Sequence, residues 1–191
     1  MDFKPLSSQP LFLADNLALD FINSEYGTGD ERHDCFEDDL SVIDWLVTTG
    51  LVSKDIEAPP GLLAEARQLR DAARTVVHSA MDSVATDLSV INRVLDKGHP
   101  LTTLQWDNDA QYYRIDTHPV SHDSVSFLWP VADALVKLVT GDKFEFVRQC
   151  EAHNCILLFH DLSKSHRRRW CSMATCGNRM KVAAFRNRKN A

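Results

Sequence analysis

Four of the five cysteines lie near the end of the chain, in a spacing that suits a metal ion. They form two pairs, each with four intervening residues, and fifteen residues separate the pairs: Cys150 and Cys155, then Cys171 and Cys176. Each pair fits one tight loop, and the gap lets the second loop return beside the first. Soft sulfur ligands in a tetrahedral arrangement select zinc. The spacing therefore predicts one structural zinc ion held by these four cysteines.

Other uses of the four thiols stay open at this point. Two disulfides fit the count equally well, and four cysteines can also hold an iron–sulfur cluster, although the usual ferredoxin spacings are absent. The sequence shows no secretory signal and no run of about 18 apolar residues. We therefore expect a cytoplasmic protein without membrane contact, in which clustered thiols more often bind metal. His153, His160 and His166 are alternative ligands but are expected outside the completed shell, and Cys35 is expected to be a lone thiol.

Charge separates this segment from the rest of the chain. Between residues 148 and 191, ten Lys and Arg residues face only two acidic ones, which gives a formal charge of +8. Because the whole chain carries −6, residues 1–147 carry −14. A basic module on an acidic body is typical of a protein that binds a polyanion through one end, most often nucleic acid. The alternative is that the basic segment docks on the acidic body of its own chain.

The cations of this segment are the candidate nucleic-acid-binding residues. They suit phosphate contacts, which supply affinity without sequence information. The candidates are Arg167, Arg168, Arg179, Lys181, Arg186, Arg188 and Lys189. Arg179 and Asn178 are also candidates for base readout, because Arg pairs well with guanine and Asn with adenine. The structural alternatives are an ion pair of Arg179 or Arg169 with Asp161, and a helix cap or a thiolate hydrogen bond from Asn178.

About 45 residues of this segment resemble the CGNR zinc finger. The likeness is carried by the runs Arg168–Met173 and Cys176–Arg179, with Lys181, and upstream by Cys150, Cys155, Phe159, Asp161 and Ser163. The resemblance implies a DNA-binding finger. Leu17–Asn23 and Leu69–Asp71 are similar to the ABATE domain, which precedes the finger in that family. That likeness implies a stress-induced transcription regulator whose larger domain senses a small-molecule effector.

The apolar periodicity predicts a fold that is mainly α with a short antiparallel β-hairpin. Residues 1–143 are expected to form a helical domain and residues 144–191 a small module with a hairpin and then a helix. In the first domain we expect a helix capped by Asp15 or Asn16, and a long acidic loop at 26–39. Further helices are expected from a capping box at Ser41–Asp44 to Thr49, over 62–80, from Thr86 or Asp87 to Gly98, and over 127–140 with Pro130 in its first turn. The hairpin is expected near 101–117.

Two groups of polar residues in the first domain invite a functional interpretation. Asp20 and Asn23 lie within an apolar run and are a candidate ligand pocket, although a buried hydrogen-bonding role is the stronger hypothesis. His118, His122 and Asp123 follow the hairpin without a nucleophile or a fourth partner nearby, and they are expected to be surface loop residues.

Within the module, each part has an expected place. Residues 144–147 are expected to be extended, and 156–159 to form one strand of a hairpin whose turn is at 164–166. Cys176 is expected at the start of a last helix that runs through Arg186, where helix N–H groups stabilise thiolates. Gly177 is expected to let the backbone approach sulfur closely. Trp170 and Phe185 are expected to cover the metal site.

These observations lead to one functional hypothesis and one rival. The hypothesis is a DNA-binding transcription regulator, not an enzyme, with one zinc ion and a basic last helix. The rival is a zinc-stabilised module that contacts protein or RNA without sequence-specific DNA binding. Catalysis ranks third, because four thiolates leave zinc no open position. The sequence shows no dimer seam.

Overall fold

The computed structural model describes residues 10–28, 31–118 and 121–189, which form six helices and three two-stranded antiparallel sheets. The mainly helical fold with a terminal hairpin-then-helix module is confirmed. None of the helices within the described ranges is long and apolar enough to cross a membrane. The elements are α1 (Leu17–Ile22), β1 (Glu25–Thr28), β2 (Glu31–Asp34), α2 (Asp39–Thr48), α3 (Leu62–Met81), α4 (Ser89–Gly98), β3 (Leu101–Asp107), β4 (Tyr112–His118), α5 (Ser124–Val139), β5 (Val147–Gln149), β6 (Leu158–His160) and α6 (Asn178–Lys189).

Helix α3 forms the centre of the larger domain, which we call the body. Its stripe of Leu62, Ala66, Leu69 and Ala73 is fully buried, as the spacing predicted. Helices α1, α2, α4 and α5 all contact α3. Beside it, the rings of Phe21, Phe36 and Trp45 form a buried cluster, with the Phe21 centroid 5.3 Å from each of the other two. Burying each large apolar side chain stabilises the fold by about 1.5–3 kcal/mol, so the body has a core that needs no metal.

Helix α2 begins three residues earlier than the sequence predicted. Asp38, not Ser41, is its N-cap: the Asp38 carboxylate accepts from the Ser41 amide at 2.8 Å, and the Ser41 hydroxyl accepts from the Asp38 amide at 3.0 Å. Asp and Ser cap equally well. The earlier start also places Asp39 so that its carboxylate accepts from the amides of Gly61 and Leu63, which fixes the start of α3. Asn16 is the cap of α1, one of the two predicted candidates.

Helix α5 also starts earlier than predicted, at Ser124 rather than 127. Asp123 is exposed just before the helix, as predicted, and it is also the N-cap, accepting from the Ser126 amide at 2.8 Å. Pro130 consequently lies inside the helix and not in its first turn. Because proline has no N–H, the helix lacks one internal hydrogen bond at that point.

The acidic segment predicted as a loop contains the hairpin β1–β2. Its charges are neutralised by arginines of α3. Arg70, only 4% exposed, donates to both carboxylate oxygens of Asp34 at 2.6 and 2.8 Å, and Arg74 pairs with Glu25 at 3.0 Å. The acidic charges of these strands are thus compensated by residues far along the chain: Asp34 and Arg70 are 36 residues apart. Local sequence patterns therefore did not predict this hairpin.

The hairpin β3–β4 is confirmed, with seven residue pairs in register from Leu101 opposite His118 to Asp107 opposite Tyr112. Its large apolar side chains are exposed rather than packed on the body.

Candidate metal centre and nucleic-acid interface

The first two cysteines lie at the turn of the β5–β6 hairpin. The Cys150 amide donates to the Leu157 carbonyl at 2.9 Å, and the Cys155 amide donates to the Ala152 carbonyl at 3.0 Å. The predicted strand at 156–159 is shifted to Leu158–His160, and its partner is β5 rather than a strand returning after 164–166. Residues 164 and 165 do form a turn, in which the His166 amide donates to the Ser163 carbonyl at 3.1 Å, but the turn of the hairpin is the metal loop itself. The predicted extended 144–147 is instead a 3-10 turn at Phe144–Phe146 that leads into β5.

Strand β6 borders two interiors at once. Leu158 is fully buried in the core of the body, whereas Phe159, also fully buried, packs with the four cysteines. Successive side chains of a strand point to opposite faces. The three-residue strand β6 therefore packs against the body with one side chain and against the metal centre with the next.

Cys171 lies just before a π-helical turn, Met173–Gly177, and Cys176 lies within it. The turn leads directly into α6. Cys176 therefore lies just before the last helix, close to the predicted place, and the helix continues to Lys189 rather than ending at Arg186. An added Cβ at Gly177 would approach the Met173 sulfur to 2.7 Å, so the flexible methionine side chain would have to move. The close approach to sulfur was predicted, but the sulfur belongs to a methionine beside the site.

The four cysteine sulfurs form one buried cluster. All four Sγ atoms lie within 4.8 Å of one another, with Cys155 to Cys171 at 4.0 Å and Cys171 to Cys176 at 3.6 Å. A tetrahedral zinc with Zn–S bonds of about 2.3 Å separates its sulfurs by about 3.8 Å. The residues present therefore fit one zinc ion, with all four of its positions taken by thiolates, as the sequence predicted.

Backbone and side-chain donors surround these sulfurs. The Cys171 amide donates to Cys150 Sγ at 3.3 Å, and the Arg179 guanidinium donates to Cys176 Sγ at 3.5 Å. The thiols share hydrogen bonds, which lower the pKa of Cys150 and raise the pKa values of Cys155 and Cys171, so Cys150 is the first of the three to become a thiolate. A depressed pKa favours the thiolate, which is the form that binds metal.

Cys35 provides the contrast. It is buried between the body's strands and its core, and burial, with the nearby Asp34 charge, raises its pKa to about 11. A thiol in that environment stays protonated and unreactive, in agreement with the expectation of a lone thiol.

The three histidines of the module lie outside the sulfur cluster. His160 Nε2 contacts the Lys143 carbonyl at 3.0 Å, and His166 stacks on Phe146 with ring centroids 3.7 Å apart. His153 is exposed. Of the two aromatic residues expected over the site, Trp170 does pack against the cysteines, whereas Phe185 is 61% exposed. The prediction for Phe185 was wrong because no residue of α6 is buried.

Asp20 and Asn23 are buried hydrogen-bonding residues, not pocket residues. The Asp20 carboxylate accepts from the Leu13 and Ala14 amides, both at 3.0 Å, while burial raises its pKa. The Asn23 side chain donates to the Leu158 carbonyl at 2.7 Å and accepts from the Leu158 amide at 3.0 Å. Asn23 therefore ties α1 to β6 and holds the metal module on the body.

A cavity of about 360 Å³ lies elsewhere in the body, between the 51–56 segment, the end of β4 and the start of α5. His118 and His122 line it, together with Trp129 and Phe127, and neither Asp20 nor Asn23 does. His118 also pairs with Asp116 at 3.0 Å. Both histidines are exposed, as predicted, but the sequence did not predict the cavity beside them, because its apolar wall comes from a helix that follows them.

Arg168 is not free to contact nucleic acid. Its guanidinium lies over the Phe159 ring at 4.4 Å, donates to the carbonyls of Leu13, Trp170 and Cys171, and pairs with Asp15 at 3.6 Å. Arginine suits such sites because its planar fork both stacks and donates several hydrogen bonds. Arg168 thus fastens the module to the 13–15 segment.

The neighbouring residues make contacts other than the predicted structural alternatives. Arg169 pairs with Glu151 at 2.6 Å and not with Asp161, whose carboxylate accepts from the amides of Ser163 and Arg168. Asn178 donates to the Ala174 carbonyl at 3.3 Å. The contact of Arg179 with Cys176 gives that arginine a bracing role at the metal centre.

The remaining cations lie on the surface. Arg167 is exposed on the loop before Cys171, and every residue from Lys181 to Lys189 is exposed. Helix α6 contains no acidic residue, and within the described ranges no ion pair engages its basic side chains: Arg179, Lys181, Arg186, Arg188 and Lys189. The helix therefore presents a cationic surface directly behind the fourth cysteine.

Two families match the chain. Residues 15–142 match the model of ABATE, described as "Putative stress-induced transcription regulator", and residues 147–189 match that of the CGNR zinc finger. A search of curated proteins finds no match.

Proposed function

The chain belongs to the ABATE family and carries a CGNR zinc finger, and from that premise we propose that it is a transcription regulator that binds DNA through α6. The observation that carries the proposal is the exposed helix α6, which has five basic residues and no acidic one. This helix comes directly after the fourth cysteine in the chain. Lys and Arg side chains on such a surface replace the counterions of the phosphate backbone.

The structure narrows the set of proposed contacts. Lys181, Arg186, Arg188 and Lys189 are exposed, as is Arg167 on the adjacent loop, so all five are proposed to contact phosphates. Arg168 is excluded from the interface because the body and the finger already occupy its guanidinium. Arg179 is proposed to hold Cys176 in place first, with base contact as a second role.

The zinc ion has a structural part in this proposal. It joins the β5–β6 turn to the segment before α6 and so fixes the direction of the basic helix. Because four thiolates leave no position for a substrate or a water, we propose that the protein is not an enzyme. A cytoplasmic location belongs to the same proposal, since thiol ligands persist where cysteines stay reduced.

Salt titration of binding to duplex DNA tests the proposal. We expect the logarithm of the affinity to fall linearly with the logarithm of salt concentration, with a slope of about −0.9 per phosphate contact. The triple variant Lys181→Gln, Arg186→Gln, Arg188→Gln should make the slope shallower by about 0.9 for each phosphate that is no longer neutralised. The matched control, Lys54→Gln, Lys97→Gln, Lys137→Gln, removes the same charge from exposed positions of the body and should leave the slope unchanged.

Selection of bound sequences from a random DNA pool separates the two hypotheses for the finger. Enrichment of a motif supports a regulator, and its loss in Arg179→Ala, with zinc retained, assigns base readout to that residue. Equal DNA binding by the triple variant and its control would overturn the proposed interface, and binding to RNA or protein alone would favour the rival module.

A further inference from the structure

The β3–β4 hairpin has two unlike faces. In the register of the strands, Leu104 lies opposite Ile115 and Trp106 opposite Tyr113, and directly opposed residues point to the same side. With Thr102 and Thr117 at the base, these residues form what we call the apolar face. The other face is polar and charged along its middle, with Gln105, Asp107, Arg114 and Asp116, and has Leu101 and Tyr112 at its two ends.

The apolar face is uncovered. Leu104, Trp106, Tyr113 and Ile115 are 69, 46, 66 and 71% exposed. At about 200 Å² for a fully exposed large side chain, they present on the order of 500 Å² of mostly apolar surface. Patches of several hundred Å² are typical of interaction sites. A two-stranded hairpin is also only marginally stable alone, so a partner that packs on this face would stabilise the hairpin itself.

The chemistry of the face limits what the partner can be. None of its six side chains is charged, so it offers no cation to the phosphates of nucleic acid or to an anionic membrane surface. On the reverse face, Asp107 lies 3.9 Å from Arg114 and Asp116 lies 3.0 Å from His118, so that face adds no strong charge of one sign. The partner surface must itself be uncharged, flat and apolar.

We propose that the apolar face pairs with the same face of a second copy of this chain, so that two hairpins stack face to face. A two-fold interface uses one patch twice, and this patch is self-complementary, since it is neutral along its whole length. Two copies bury on the order of 1,000 Å² in total, which reaches the lower limit for a specific interface. Helix α6 is a poorer partner because its exposed Val182 and Phe185 lie among cations.

The opposed aromatic pair gives the stacking its geometry. Trp106 and Tyr113 meet edge to face with centroids 5.0 Å apart, and both rings are about half exposed or more, so both can contact the partner's rings. Packed sheets lie about 10 Å apart, a distance that such side chains fill. A dimer of this size is expected to dissociate in the micromolar range.

Analytical ultracentrifugation of the full-length, zinc-loaded chain across that concentration range tests the proposal. The native chain should sediment as a dimer at high concentration, and Ile115→Asp should sediment as a monomer throughout. Gln105→Asp, on the same hairpin but on the opposite face, is the matched control and should remain a dimer. A native chain that stays monomeric, or a dimer that Ile115→Asp leaves intact, would overturn the proposal.

A second variant guards against a hairpin that simply unfolds. Ile115→Thr keeps a β-branched residue with good strand propensity while removing apolar surface from both copies, and should weaken the dimer by about tenfold or more. Hydrogen exchange of β3 and β4 must stay as slow in the monomeric variants at low concentration as in the native monomer. The measurement uses no DNA, so its failure leaves the proposed DNA interface untouched, and failure of that interface leaves the dimer untouched.

Discussion

The body and the zinc finger are stabilised by different interactions. In the body, large rings such as Phe21, Phe36 and Trp45 are removed from water. In the finger, four of the seven buried residues that form the core are metal ligands, with Phe159 as their one buried aromatic neighbour in the described part of the chain. A segment of about forty residues cannot bury enough apolar surface to fold alone. The comparison shows why one chain uses both kinds of stabilisation. The body is large enough to bury an apolar core, and the finger is not.

The two regions are nevertheless joined by direct polar contacts. Asn23, the C-cap of α1, bonds both backbone groups of Leu158, and Arg168 reaches back to Leu13 and Asp15. The finger is therefore metal-dependent in its own core and body-dependent in its orientation.

Removal of zinc is the strongest way to separate the regions. Chelation, or Cys171→Ser, should unfold the finger, because structural zinc contributes roughly 10 kcal/mol or more of folding free energy in such modules. Amide hydrogen exchange should accelerate from residue 150 onward while α3 stays protected. Cys35→Ser, which changes the one cysteine outside the cluster, should retain one equivalent of zinc by mass spectrometry. Finger amides that stay protected without zinc would contradict the difference between a metal-dependent finger and a metal-independent body.

Replacing Asn23 should uncouple the regions without emptying either core. Asn23→Ala leaves the buried amide and carbonyl of Leu158 without partners, at a cost of about 3 kcal/mol in the free energy of unfolding. Thermal or urea denaturation measures the loss. The exposed Asn178→Ala should cost less than about 0.5 kcal/mol. If both variants unfold at the same denaturant concentration, the Asn23 hydrogen bonds do not hold the junction.

The charge network of the body gives the smallest of the three effects, and a pH dependence. Burial raises the pKa of Asp34, but hydrogen bonds from Arg70 and from the Phe36 amide, with the charges of Arg70 and Arg67, outweigh it and lower that pKa. A carboxyl with a lowered folded-state pKa stabilises the protein above its unfolded value of about 3.9, and that contribution is lost as the pH falls through the folded-state value.

Asp34→Asn should accordingly cost about 2 kcal/mol at neutral pH, less than a fully buried pair would because Asp34 is partly exposed. The difference from the native chain should shrink as the pH falls below about 4. Asp44→Asn, an exposed carboxylate of α2, serves as the control and should match the native chain throughout. Zinc content should not change in either variant. A native–variant difference that is constant from about pH 7 to about pH 3 would refute the linkage.

The features that the sequence predicted well are those encoded locally. The cysteine spacing identified the metal ligands, and the three- and four-residue spacing from Leu62 onward identified α3. The β3–β4 hairpin was predicted because the apolar pattern changes from a helical to a strand period on both sides of a turn. In each case the information lies within a few tens of residues.

The features that were missed depend on distant partners. The β1–β2 hairpin is neutralised by Arg70 and Arg74, and the anchoring role of Arg168 depends on a carbonyl 155 residues away. A count of charges places every arginine of the basic segment on one surface, whereas the structure turns one of them inward. Asn23 was recognised as a buried polar residue, but nothing nearby in sequence identifies Leu158 as its partner.

Because of strand β6, the number of residues between Cys155 and Leu158 is as constrained as the spacing of the cysteines. Leu158 and Phe159 are neighbours in sequence and occupy separate interiors. Because side chains alternate along a strand, inserting or deleting a single residue between Cys155 and Leu158 would exchange the two, sending the aliphatic side chain toward the sulfurs and the ring toward the body. We expect natural or designed variants of this chain to tolerate changes of residue type in 156–157 far better than any change in the number of residues there.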